Sequence, residues 1–128
     1  MTDLSSCLNP VYATRDSVRD PCAVCHGGIF HIYYTRMTMP SKWGSPFNWH
    51  IAMTTTRDFL EFTPGRTISP PGYCSPGNVI CHEGKWVMSA QRYPWPAAIV
   101  LLESPDLVHW SEPREVIGSR TTTFWCER

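Results

Sequence analysis

The sequence predicts an all-β chain of two four-stranded blades of a β-propeller, an incomplete ring, and three observations carry that reading. A hairpin signature occurs twice: Cys25-His26-Gly27-Gly28 returns as Cys81-His82-Glu83-Gly84, each between short apolar, β-branched runs. A second motif recurs farther on, where Thr56-Arg57-Asp58-Phe59-Leu60-Glu61-Phe62 matches Ser104-Pro105-Asp106-Leu107-Val108-His109-Trp110. Twelve prolines and eight glycines punctuate the 128 residues, and no segment shows the 3.6-residue apolar period of an amphipathic helix. Four short strands per unit, repeated at a fixed period, are the sequence mark of a propeller blade. A β-sandwich is the competing architecture, since eight short strands would also build one, but a sandwich has no need of repeated turn chemistry.

The elements follow in order. Residues 1–18 are polar and irregular and form a lead-in segment or an edge strand. Arg19-Asp20-Pro21 introduces a first strand over Cys22 to Cys25, and Gly27-Gly28 supplies the positive φ angles of a tight turn. Ile29 to Thr35, aromatic and β-branched, is the second strand. Residues 37–48 hold two prolines and a glycine and form a loop; His50 to Thr54 is the third strand. Arg57 to Phe62 turns into a short fourth strand, and Thr63 to Cys74, with three prolines and two glycines, links the units. The second unit repeats the order: Val79 to Cys81, Lys85 to Ala90, a Pro- and Trp-containing loop, Ala98 to Leu102, then the motif ending at Trp110. The chain thus forms one domain over 1–128. Its blade-like repeats run from about 19 to 63 and from about 74 to 117, and 118–128 begins a further unit. The offset between repeats is 56 residues at the hairpin glycines and 48 at Asp58 and Asp106. The difference falls in the loop between strands two and three, where length change is tolerated.

Composition narrows the function. Eleven basic residues balance eleven acidic ones, which argues against a nucleic-acid or anionic-membrane partner. No apolar run approaches the roughly 20 residues of a spanning helix. The first residues lack a basic segment followed by an apolar one, so a cytoplasmic protein with six reduced cysteines is expected, or a secreted one if the start of the chain is missing. Cys22-Ala-Val-Cys25-His26 matches a c-type haem attachment pattern. On a strand, however, those two thiols point to opposite faces, so neither haem nor zinc is expected; small buried hydrophobes are the reading. No other cofactor or metal is expected.

The residues that remain resemble a known group of enzymes. Arg19-Asp20-Pro21, Tyr33-Tyr34-Thr35, Ala52 to Phe62, Ser75-Pro76-Gly77-Asn78, Gly84-Lys85-Trp86 and Ser104 to Trp110 with Pro113 are together similar to the first part of five-bladed propeller glycoside hydrolases. Family 43 is the nearest in pattern, and families 32, 62, 68, 117 and 130 share much of it. The resemblance spans about residues 19–117 and implies hydrolysis, or phosphorolysis, of a glycosidic bond. It implies that Asp20 is the general base or stabilising carboxylate at the start of an innermost strand, facing a concave surface shared by the blades. Such chemistry needs a second carboxylic acid, roughly 6.5–9.5 Å away when configuration is inverted. The second repeat offers Ser75-Pro76 where the first has Asp20-Pro21, and Glu103 and Glu127 are the nameable candidates for that acid. Aromatic side chains in the loops between strands two and three, Trp43, Phe47, Trp49, Tyr93 and Trp95, read either as inter-blade packing or as a sugar-stacking rim. With His50 and Asn78, Trp43, Trp49 and Trp95 form the candidate carbohydrate-binding set. Asp58 and Asp106 read as turn residues. A two-blade chain leaves blade faces open, so self-association or further C-terminal blades are expected. A non-catalytic carbohydrate-binding or structural module, or an inactive fragment, is the alternative to an enzyme.

Overall fold

A computed structural model of the chain describes residues 5–7, 10–38, 48–93 and 96–118. Among the described residues, nine strands make two antiparallel sheets. The first contains β1 (Ser17–His26), β2 (Ile29–Met37), β3 (Trp49–Thr56) and β4 (Arg66–Thr67), in that order. The second contains β5 (Tyr73–Cys74), β6 (Val79–His82), β7 (Lys85–Arg92), β8 (Ala98–Ser104) and β9 (Arg114–Gly118). Here β5 and β6 both pair with β7, as two pieces of one interrupted strand, followed by β8 and β9. No helix among the described residues is long and apolar enough to cross a membrane.

The repeat seen in the sequence holds residue by residue. Tyr33 pairs with Met53 in the first sheet, and Ser89 with Leu101 in the second, at offsets of 56 and 48. Ala52 opposite Thr67 becomes Val100 opposite Glu115. Both hairpins turn through two left-handed residues, Gly27 and Gly28 in one and Glu83 and Gly84 in the other. The first strand of each sheet carries an irregularity at the same place. Asp20 and Pro21 stand against Tyr34 alone, and Ser75 to Asn78 stand against Ser89 and Ala90. Such a bulge re-aims the side chains at its centre.

Side chains alternating along each strand meet between the sheets. Tyr33, Ile51 and Met53 of the first pack with Met88, Ala90, Ala98, Val100 and Leu102 of the second. Cys22 and Val24 support this cluster from β1, whereas Cys25 is exposed, so the two thiols do lie on opposite faces. Burial pushes the Cys22 thiol up to about 11, as suits a small hydrophobe. The Tyr33 hydroxyl donates to the Leu107 carbonyl at 2.7 Å, and its ring meets Trp110 edge-on. Replacing Tyr33 with Phe keeps the ring and orphans that buried carbonyl. It is expected to cost about 1–3 kcal/mol in a urea titration; an unchanged midpoint would mean that water replaces the hydroxyl.

The fourth strands differ from expectation. Residues 57–62 form a turn, and the strand that completes the first sheet is β4, Arg66–Thr67. Asp58 Oδ1 accepts the N–H groups of Leu60 and Glu61, and Thr56 Oγ1 accepts those of Asp58 and Phe59. Ser104 and Asp106 make the same four bonds 48 residues later. Backbone donors captured locally are lost to a ladder. In the second unit the closing strand is accordingly β9, Arg114–Gly118, and residues 119–128 lie outside the described residues.

The turn carboxylates give the fold an acid limit. The His109 N–H and ring, with the Val108 N–H, hold the Asp106 carboxyl well below its ordinary range; Asp58 is lowered by the N–H groups of Leu60 and Glu61. A folded value below the unfolded one stabilises above about pH 4, and the effect is lost as the pH falls toward the folded value. Asp106→Asn is therefore expected to flatten the loss of Tm between about pH 4 and pH 2. An acid slope equal to that of the wild type would contradict this.

Candidate active site

Asp20 lies at the centre of the β1 bulge with φ of 53°, a left-handed conformation that a non-glycine residue rarely adopts. Ser75, its counterpart in the second sheet, is left-handed too, with φ of 48°. These two residues meet at the seam between the sheets. Asp20 Oδ2 accepts the Ser75 hydroxyl at 3.2 Å and the Thr35 hydroxyl at 3.1 Å. Arg19 Nε stands 3.4 Å from the same oxygen. All these contacts fall on Oδ2, and the side chain keeps 33% of its exposure. The carboxylate is thus held through Oδ2 and stays partly exposed. Beside this point Trp49 stacks on Tyr93 with ring centroids 5.4 Å apart, over Met37 and Cys74.

The other sequence-nominated residues separate. Trp49 opens β3, is only 8% exposed and stacks on Tyr93, which is the inter-blade packing that the sequence offered as one of its two readings. His50 follows Trp49 on the strand and so faces the opposite side of the sheet, beside Arg36. Burial there, with Arg36 nearby, lowers its affinity for a proton. Asn78 is exposed, three residues beyond Ser75. Trp43, Phe47, Trp95 and Glu127 lie outside the described residues. Glu103 pairs with Lys85 Nζ at 3.1 Å, opposite Val87 on the face of the second sheet turned away from the seam. The structure therefore does not join it to Asp20 within one chain.

Sequence reasoning did not find the role of Thr35 or of Ser75. The signal for Ser75 was its place in the repeat, where it reads as a missing carboxylate; its hydroxyl is the informative atom. Thr35 stood within the Tyr33-Tyr34-Thr35 part of the resemblance, but nothing there marks its hydroxyl as a partner of Asp20.

Two packed antiparallel sheets in repeated register are the arrangement of neighbouring propeller blades. No family model matches the sequence, and no curated protein matches it. Solved structures do. A glycosyl hydrolase from Bacteroides ovatus superposes with a TM-score of 0.61 at 14% identity, over 75% of this chain and 31% of that one. The catalytic domain of a GH62 α-L-arabinofuranosidase from Coprinopsis cinerea gives 0.60 at 15% identity, over 77% and 31%. A GH43 β-xylosidase/α-arabinofuranosidase from a compost microbial metagenome, solved with xylotriose, gives 0.60 at 14% identity, over 82% and 36%. The fold is thus that of part of a β-propeller glycosidase, and the chain spans about a third of the structures it matches.

Proposed function

We propose that the chain is the front part of a glycosidase acting on pentose-containing glycans, with Asp20 as its general base or stabilising carboxylate. The observation that carries this reading is the Asp20 carboxylate, which is fixed through Oδ2 by hydroxyls of both sheets while its side chain stays partly exposed. As base, Asp20 would take a proton from the water that attacks the anomeric carbon, while a second carboxylic acid protonates the leaving oxygen. That acid would come from a further blade or from another copy. The likeness to arabinose- and xylose-releasing enzymes supports the substrate class.

A second reading, carbohydrate binding without hydrolysis, draws on the carboxylates nearest the sheets. Asp16, Glu103 and Glu115 pair with Arg36, Lys85 and Arg92, Asp58 and Asp106 close turns, and Glu61, Glu83 and Glu112 are exposed. Release of 4-nitrophenol from α-L-arabinofuranosides and β-xylosides, measured alongside calorimetric titration with xylotriose, separates the two. Turnover that depends on Asp20 supports the enzyme; binding without turnover supports the module.

A further inference from the structure

The hydroxyl groups around Asp20 have a defined direction. The Ser75 backbone N–H donates to Thr35 Oγ1 at 2.7 Å, across the seam between the sheets. A hydroxyl that accepts at its oxygen in this way has its single proton left to give. The nearest acceptor is Asp20 Oδ2 at 3.1 Å. Thr35 is 1% exposed, so water does not compete for that proton. Ser75 donates its own hydroxyl to the same oxygen, at 3.2 Å. Ser75 therefore acts twice, once directly and once through Thr35. It does so from the position where the repeat would otherwise place a second acid.

Both ends of this arrangement are backbone-strained. Asp20 and Ser75 are each left-handed and each precede a proline, a residue that restricts the conformation of the one before it. Left-handed non-glycine residues persist only where their surroundings over-determine them. Here the bulge of β1 aims Asp20 at the second sheet, and the break between β5 and β6 aims Ser75 at the first. The two distortions converge on one oxygen atom.

The geometry points to Thr35 and Ser75 as positioning residues that lock Asp20 Oδ2 and thereby orient Oδ1. This inference rests on the catalytic reading of Asp20 for its purpose, though the lock itself does not depend on it. Docking of the second sheet on the first then sets where the carboxylate points, and a small misplacement of such a group is costly to turnover.

The test uses the chain as it is, labelled with ¹³C at the aspartate carboxyl carbons, with the Asp20 resonance assigned by its loss in Asp20→Asn. At pH 7, Ser75→Ala and Thr35→Val are each expected to shift the Asp20 resonance, while Ser75→Thr and Thr35→Ser return it toward the wild-type position. A side chain that only fills space would not show rescue by a hydroxyl. Where turnover is measurable, Ser75→Ala is expected to lower kcat about tenfold with KM unchanged. An Asp20 resonance unmoved in Ser75→Ala overturns the inference. If hydrolysis survives Asp20→Asn while the resonance still responds to Ser75→Ala, the catalytic reading fails and the positioning stands.

Discussion

Asp20→Asn is expected to reduce glycoside hydrolysis by about a hundredfold to ten-thousandfold, the usual share of a positioned proton-transfer group. The substitution is nearly isosteric, and an amide oxygen can still accept from Thr35 and Ser75. What it removes is the ability of the carboxylate to take a proton or face a developing positive charge. The ion pair with Arg19 is lost as well, but both partners are partly exposed, so the cost should stay under about 1 kcal/mol. Activity and stability should therefore part company: turnover collapses while the melting curve stays close to that of the wild type. Unchanged turnover in a folded Asp20→Asn protein would refute the role of Asp20.

The isolated 128-residue chain is expected to self-associate at micromolar concentration, and the repeat says through which faces. Ile51 and Met53 are buried at the seam, with Val24 half-buried against them. Their counterparts in the second sheet, Ile80, Ile99 and Leu101, lie on its far face, where Ile80 is 56% and Ile99 39% exposed. Ile117, paired with Ile99, adds 67% exposure on that face. Conversely, Met88, Ala90, Val100 and Leu102 at the seam correspond to Ile32, Tyr34, Ala52 and Thr54. Three of those four residues line a groove of ≈ 390 Å³ on the far side of the first sheet. Tyr34, Ala52 and Thr54 are themselves buried within the chain, Tyr34 beneath Tyr12, so the apolar face left exposed is that of the second sheet, and two copies would meet through it face to face. Exposed apolar faces of this kind are uncommon on monomers. Sedimentation equilibrium should report a mass above 14.6 kDa, and Ile99→Lys combined with Ile117→Lys should return it to that value. A wild-type chain that stays monomeric at tens of micromolar would show that these faces do not bind each other.

The sequence carried the parts of this fold that depend on short-range chemistry. Hairpin glycines announced both β1–β2 and β6–β7, because a two-residue turn of this kind requires left-handed backbone. Asp58 and Asp106 were readable as turn residues, since a carboxylate two residues before free N–H groups captures them. The fourth strand was not readable. Phe59 and Phe62 look like strand residues, yet they sit in a side-chain-bonded turn, whereas the real β4 is an Arg-Thr pair with no apolar signature. Trp49 misled for a related reason: prolines upstream suggested a loop, but the strand begins at the tryptophan itself. The site was half legible. Asp20-Pro21 drew notice as a motif, while its holders depend on contacts 15 and 55 residues away, which no local pattern encodes.

The repeat is also unequal in one informative place. Residues 38–48 join β2 to β3, and residues 93–97 join β7 to β8. Both connections leave the sheets at the end where Thr35, Met37 and Trp49 stand beside Asp20. Everything after them resumes in strict register. For a protein engineer this separates chassis from variable region: segments of different length can be grafted between the same strand ends while the seam that fixes the acid is left untouched. Libraries built at 38–48 and 93–97 would therefore vary these connections on a constant frame around Asp20.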